Sequence, residues 1–487
     1  MTQEQVDYSR KWFAMIAVAM GIFLSTIDGS IVNVALPTLV RDLQTGFAVV
    51  QWVVLAYLLT ITALMLSVGR LADMIGKKPL YTAGFVVFTT GSVLCGLAPT
   101  VAWLIGFRVV QAIGAAMVQA LGMAIITEAF PPAERGRALG LMGSVVSVGI
   151  VVGPTLGGLI INALSWHWIF FVNLPVGLLG MWMVVKFVPS TRPPGGQRFD
   201  YLGAVALFLS LLTLLLGLTM GQQIGFGQWM VGLLLGSWLV FLLLFLAVER
   251  RIAQPMIDLQ IFKRSLFSIN LTTGFITFVS IAGVLILMPF YLENILGFNT
   301  RQVGLLMAAV PLMLGISSPL SGALSDRFGS RPITVAGLGI MVFGYYAIST
   351  LSRDTTAWGY ILRMLPLGIG MGVFQSPNNS AIMGAVPKTR LGIASGLLAL
   401  TRTLGQTTGI AVLGALWAGQ VRLLTGHALS GDVTAAPAAA QVTALHTTFG
   451  GVIVLITLAL GLSLWALARQ YRSRRVAPVA PLSPPGP

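Results

Sequence analysis

The chain has 487 residues, 56% hydrophobic and only 9% charged, with a mean hydropathy of +0.89. A soluble domain carries about 25% charged residues, so this composition excludes an ordinary soluble protein. The net charge of +15 does not signal nucleic acid, because Lys and Arg recur in short clusters between apolar runs, as in loops held on the cytoplasmic side. One cysteine, Cys95, excludes an intrachain disulfide, and no cleavage-site pattern follows the first apolar run, so no removable signal peptide is expected.

A spanning helix needs about 20 apolar residues. That rule predicts fourteen spans in chain order: 12–36, 50–69, 80–98, 102–126, 140–163, 169–188, 202–220, 229–248, 267–291, 303–322, 333–351, 358–383, 391–417 and 447–468. An even number puts both termini on one side. On that side fall 22 of the 29 Lys and Arg, against 4 on the other, so both termini are expected in the cytoplasm.

The first span holds Asp28 near its middle, within Ser25–Pro37, with no other acid in that run. A carboxylate at bilayer depth is costly and faces a protein interior or an aqueous path. Burial disfavours its charge and a nearby cation restores it, which suits a group that takes up and releases a proton. A satisfied polar bridge between helices is the alternative.

The loop after the second span reads G-R-L-A-D-M-I-G-K-K at 69–78, and 322–331 repeat it as G-A-L-S-D-R-F-G-S-R. Gly69 and Gly76 permit a tight turn there. Asp73 can accept from a facing helix N-terminus and pair with Lys77 or Arg137. From Asp73 to Arg108 is 35 residues and from Asp326 to Arg363 is 37; the next arginines, Arg135 and Arg390, follow after 27 in both cases. The repeat predicts two six-helix halves with a site between them. It leaves 202–220 and 229–248 as an insertion. The domains expected are a six-helix bundle at 12–188, a linker with two extra spans at 189–265, a second bundle at 266–468, and a disordered basic, Pro-rich tail at 469–487. The stretch 420–446, rich in Ala and Thr, is expected to be mobile.

Arg108 lies inside the fourth span and needs acceptors or a carboxylate; Gln111 and Gln119 would add polar wall. In G-I-V-V-G-P-T-L-G-G at 149–158, Gly149, Gly153 and Gly157 form a small-residue stripe. Gly158 follows it, and Pro154 removes a backbone hydrogen bond and bends the helix. W-H-W-I-F-F-V-N-L-P-V-G opens the sixth span at 166–177, where Trp166 and Trp168 are interface anchors and His167 is a surface residue.

With these motifs in this order from residue 12 to 468, the chain resembles the fourteen-helix drug:proton antiporter family of the major facilitator superfamily. The resemblance implies an all-α membrane protein with the major facilitator fold: 14 transmembrane helices as two six-helix bundles plus two inserted helices. It implies proton coupling through Asp28, with Arg108 as the neighbour that tunes it. It assigns gating to Gly69, Asp73, Gly76, Lys77, Arg137, Asp326 and Arg327, and closure between the halves to Gly149, Gly153, Pro154, Gly157 and Gly158. This chain departs from the family pattern at Ala112 and His167, and it has no acid in the core helices of the second half. The place in the second half that corresponds to 149–158 has Gly405 and Gly409 but Ile410 instead of proline, an asymmetry that supports export.

Candidate pocket residues are Asn33, Gln51, Trp52, Tyr57, Gln111, Gln119, Phe290, Tyr291, Gln375, Asn378, Asn379, Arg402 and Gln406. Aromatic walls with one carboxylate suit a lipophilic cation. The expected function is proton-coupled multidrug efflux of amphipathic compounds by alternating access, from a monomer in the inner membrane in contact with membrane lipids. The rival reading takes Arg108, Arg363 and Arg402 against one deep acid as suited to lipid transport, as an exporter or flippase of a lipid, glycolipid or other anionic amphiphile. A scaffold or sensor without transport is the third reading. No Walker loop, Cys/His cluster or catalytic constellation occurs, so no enzyme, metal, nucleic-acid partner or cofactor other than the proton is expected.

Overall fold

The computed structural model describes residues 10–45, 47–190, 200–225, 227–252, 259–425 and 436–476. Among the described residues there is no strand, and fourteen helices are long and apolar enough to cross a membrane. In the first half these are α1 (Lys11–Asp42), α2 (Phe47–Ile75), α3 (Lys77–Gly96), α4 (Val101–Ala129), α5 (Arg135–Ala163) and α6 (Trp168–Phe187). The inserted pair is α7 (Tyr201–Ile224) and α8 (Trp229–Arg251). The second half comprises α9 (Ser265–Phe290), α10 (Ala309–Phe328), α11 (Ser330–Ile348), α12 (Ala357–Gly384), α13 (Leu391–Thr425) and α14 (Ala438–Val476). We call the face carrying Arg10 and Val476 the terminal side and its opposite the far side.

The halves are built by the same local rules. Thr100 and Thr356 cap α4 and α12, each hydroxyl accepting from the backbone N–H three residues on. Gly76 and Gly329 join α2 to α3 and α10 to α11 with φ of 105° and 86°, which a side chain would resist. α3 and α4 approach closely at Gly91, where a Cβ would stand 2.6 Å from the Gln111 backbone. α11 and α12 do the same at Gly337, 2.6 Å from the Phe374 backbone nitrogen.

α7 packs on α2 and α13 as well as on α8. Ala204, Ala206, Leu207 and Leu211 join Ala63 and Leu66 of α2 and Leu397 and Leu400 of α13 in one buried cluster. The insertion therefore covers one of the two seams between the halves. α8 leans on α7 and leaves Leu233, Leu239, Val240 and Leu243 exposed, as a lipid-facing helix would.

Two loop expectations are corrected. The tail expected from 469 begins as helix, since α14 runs on to Val476. Residues 420–425 and 438–446 are likewise helical ends of α13 and α14. The remainder of that stretch, at 426–435, and most of the 189–198 linker lie outside the described residues.

Candidate functional site

Asp28 sits on α1 with no exposure to solvent, and three side chains hold its carboxylate. Arg108 Nη1 of α4 donates to Oδ2 at 2.6 Å. Gln111 Nε2 donates to Oδ1 at 2.8 Å, and Asn173 Nδ2 of α6 donates to the same oxygen at 3.1 Å. Arg108 also reaches Gln111 Oε1 at 2.7 Å and Val53 O at 3.0 Å, and its guanidinium lies 3.9 Å from the centroid of the Tyr57 ring. Asn173 continues to Ser92 Oγ at 2.9 Å. Charge-assisted bonds of this kind offset the cost of burying two charges. The pair and its neighbours belong entirely to the first half.

That arrangement corrects two expectations. Gln111 is a fully buried part of the charge cluster, not pocket wall. Both oxygens of Asp28 already accept, so the carboxylate offers a cationic substrate no free face. Asn173 is the member that sequence reasoning missed. It stands in the N-L-P run opening α6, but a neutral amide in an apolar helix gave no signal beside the tryptophans.

The two repeat acids reach across the molecule. Asp73 at the end of α2 accepts from the backbone N–H of Gly392 at 2.9 Å and Ile393 at 3.1 Å, at the start of α13. Asp326 at the end of α10 accepts from Gly136 at 2.9 Å and Arg137 at 3.0 Å, at the start of α5. Each half thus caps a helix N-terminus of the other, where backbone donors and the helix dipole favour an anion. Lys77 lies 3.5 Å from Asp73 and 2.8 Å from Glu128. Gly69 serves close approach, not a turn, because a Cβ there would stand 2.6 Å from Gly392 O. Gly136 faces Gly322 O at 2.6 Å in the same sense. Arg137 contributes its backbone rather than pairing with Asp73, and its side chain lies 5.9 Å from the Trp12 ring. Arg327 is exposed over Phe328 and takes no part in the latch contacts. These contacts, with Ser144 Oγ donating to Gly315 O at 2.5 Å, join the halves through the terminal half of the protein.

The glycine stripe of α5 does not close the interface between the halves. Cβ atoms at Gly149 and Gly157 would meet Thr26 at 3.0 Å and Ile31 at 2.7 Å, both on α1. Gly153 faces Ser30 of the same helix, and Gly158 faces open space. α5 remains helical through Pro154, whose side chain lies outside the description. The second half repeats the device at Gly405 and Gly409, which pack α13 on α9. The stripe reads the same in sequence whether its partner is in one half or the other.

The pocket candidates separate. Gln375, Asn378 and Asn379 line one cleft together with Asn270, Thr277 and Thr401. Gln119 accepts from Arg402 Nη2 at 2.9 Å, bridging α4 to α13 across the halves. Tyr57 joins the Asp28 cluster. Tyr291 is no pocket wall: it is buried, and its hydroxyl donates to Ser352 O at 2.6 Å. Phe290 is exposed and stacks on Trp417, away from the cleft. Asn33 is exposed and donates to Gly29 O of its own helix. Trp52 and Gln406 are half-buried, and the Gln51 side chain lies outside the description. Arg363 donates to Thr350 Oγ1 and Gly359 O near the far end of α12. Among the described residues it has no carboxylate within 4.0 Å of the kind Arg108 has.

Comparison with known proteins decides the family. The profile described as Major Facilitator Superfamily matches residues 18–410. The chain belongs to the major facilitator superfamily. Members of this superfamily are transporters, not enzymes, and this chain is a multi-pass membrane transporter of small molecules. It is 36% identical over 410 residues to the riboflavin transporter RibZ of Clostridioides difficile strain 630, covering 84% of this chain and 89% of that one. It is 34% identical to the multidrug resistance protein Stp of Mycobacterium tuberculosis strain CDC 1551, covering 83% and 75%. Among solved structures, the human organic anion transporter MFSD10 superposes with a TM-score of 0.66 at 15% identity, over 93% of this chain and 99% of that one. The superfamily's proton:xylose symporter XylE matches with the same TM-score at 14% identity, over 94% and 96%. These two likenesses speak for the fold alone.

Proposed function

We propose that this transporter exports amphipathic organic compounds in exchange for protons by alternating access, from the inner membrane with both termini in the cytoplasm. The observation that carries the reading is the Asp28–Arg108 pair. Asp28 is the one described acid away from a helix end, and it is fully buried at 2.6 Å from a cation. A proton arriving on Asp28 releases Arg108 from its counter-charge, and Arg108 then seeks other acceptors. Arg108 and Gln119 are 11 residues apart on α4, about three turns along one face. The Arg402 bond of Gln119 therefore ties the same helix to the second half. Protonation is read as helix movement, not as loss of a direct contact between Asp28 and substrate. The names of the multidrug relatives support the substrate class. In proteoliposomes with an imposed pH gradient, ethidium moves against its own gradient, and Asp28→Asn abolishes that dependence. Undiminished gradient-driven movement by the variant overturns the assignment.

A second reading has its own observation. Arg402 donates to the neutral amide of Gln119 and has no carboxylate within 4.0 Å among the described residues. An unneutralised guanidinium at the seam suits an anionic amphiphile, such as a lipid head group. Arg402→Gln then lowers transport of an anionic dye at least tenfold and spares ethidium; equal effects on both remove this reading.

A further inference from the structure

The cleft in the second half holds an unmet demand for hydrogen bonds. Asn270 of α9 and Asn378 of α12 are 5% and 3% exposed. Asn270 Nδ2 and Asn378 Oδ1 both lack a partner. Thr277 and Thr401 already spend their hydroxyl protons on Thr273 O and Leu397 O of their own helices. Phe278, Phe374 and Met371 supply apolar wall, half-buried Gln375 and Asn379 complete it, and among the described residues no charged side chain lines the cleft. Gly274 keeps the floor open, since a Cβ there would stand 3.3 Å from Asn378 Nδ2.

A buried donor and a buried acceptor left unpaired are costly in a low dielectric. Their complement is a molecule that offers a carbonyl to Asn270 and an N–H to Asn378. We propose that this cleft reads the adjacent N–H and C=O of a neutral cyclic amide or imide carried on the transported compound, with the aromatic wall against its ring. This rests on the transport reading above, and it names the chemistry of the substrate's polar edge. The free volume here is about 10 Å³, the room of roughly one water molecule. Only the edge of a ligand enters, therefore, and its ring lies toward the mouth. The absence of charge in the cleft selects a neutral edge, because a charged one would be stripped of water with no counter-ion.

The test compares two probes on the full-length protein in lipid nanodiscs. Lumichrome presents adjacent N–H and C=O groups at N1 and at N3, and its 1,3-dimethyl derivative is the same flat ring with both N–H groups removed. Fluorescence titration should show lumichrome binding about tenfold tighter, the effect of a lost bond to a buried acceptor. Asn378→Leu should erase the difference, and Asn270→Leu, which removes the donor to the carbonyl that both probes carry, should weaken both alike. Equal affinities for the two probes in the unaltered protein overturn the proposal, whatever the variants do. So does failure of both to bind up to their solubility, or preference retained in Asn378→Leu; these are the results of a cleft that holds water only. If ethidium extrusion is absent while the imide preference stands, the transport reading fails and this one survives.

Discussion

Asp28 and Arg108 depend on each other, and their energetics separate structure from coupling. Asp28→Asn leaves a guanidinium buried without its counter-charge and turns an amide NH2 toward existing donors, either Arg108 on one side or Gln111 and Asn173 on the other. Breaking a buried pair from one side costs about 3–5 kcal/mol, so the variant should lose thermal stability in detergent. Replacing both partners, as Asp28→Asn with Arg108→Met, should recover part of that loss without restoring coupling. A double variant no more stable than the single would show that packing, not charge, is at stake. His167 gives a second residue-scale prediction. Partial burial beside Trp166 lowers its pKa below 6.5, with Asp42 opposing. The fold therefore prefers the neutral ring. Its contribution is complete above pH 6.5 and is lost as pH falls toward the folded value, because the unfolded chain binds the proton first. Melting temperatures at pH 5 and pH 8 should differ less in His167→Gln than in the unaltered protein; equal differences would remove this account. Asp28 and Arg108 were legible because a charge inside an apolar run has few explanations. Asn173, Asn270 and Ser92 were not, because neutral polar side chains in membrane helices carry no sign of which helix they will face.

At the scale of elements, the protein is held shut on its terminal side by two acids that each cap a helix of the other half. Each accepts two backbone donors, and bonds to a charged group contribute about 1.5–3 kcal/mol. Asp326→Asn should weaken its latch enough to shift the open population about tenfold. Spin labels at Ala133→Cys and Phe328→Cys, both exposed and in different halves, should then report a longer distance. An unchanged distance distribution would mean that Asp326 does not hold this closure. The glycine stripe makes the opposite prediction. Gly157→Val would drive a side chain into Ile31 of α1 within the first half, an overpacking that typically costs about 1–3 kcal/mol. Stability should fall while the label distance between halves stays the same. The internal repeat foretold the latch acids and their symmetry. A facing helix N-terminus was expected for Asp73, and Gly392 and Ile393 supply it; which helix that would be carries no signature in the repeat. The stripe's partner was misread for a related reason: small residues announce close approach but not the helix that approaches.

For the whole molecule, composition and the 20-residue rule were enough to count fourteen spans, because the bilayer leaves few other solutions. Helix ends were less legible. α13 and α14 extend past the apolar window as helix, which hydropathy does not register. The sidedness proposed from the basic residues can be checked directly, since buried Cys95 gives a quiet background. A membrane-impermeant maleimide on intact cells should label Asp354→Cys and spare Ala133→Cys; the reverse pattern would invert the topology and with it the direction of transport. The central claim is that one proton site in the first half drives a cycle of both halves. It is tested most directly by measuring proton movement and substrate exchange in the same proteoliposomes, with a trapped pH dye and labelled ethidium. The unaltered protein should move protons when ethidium is added, and Asp28→Asn should exchange ethidium across the membrane without moving protons. Proton movement by Asp28→Asn equal to that of the unaltered protein would contradict the account.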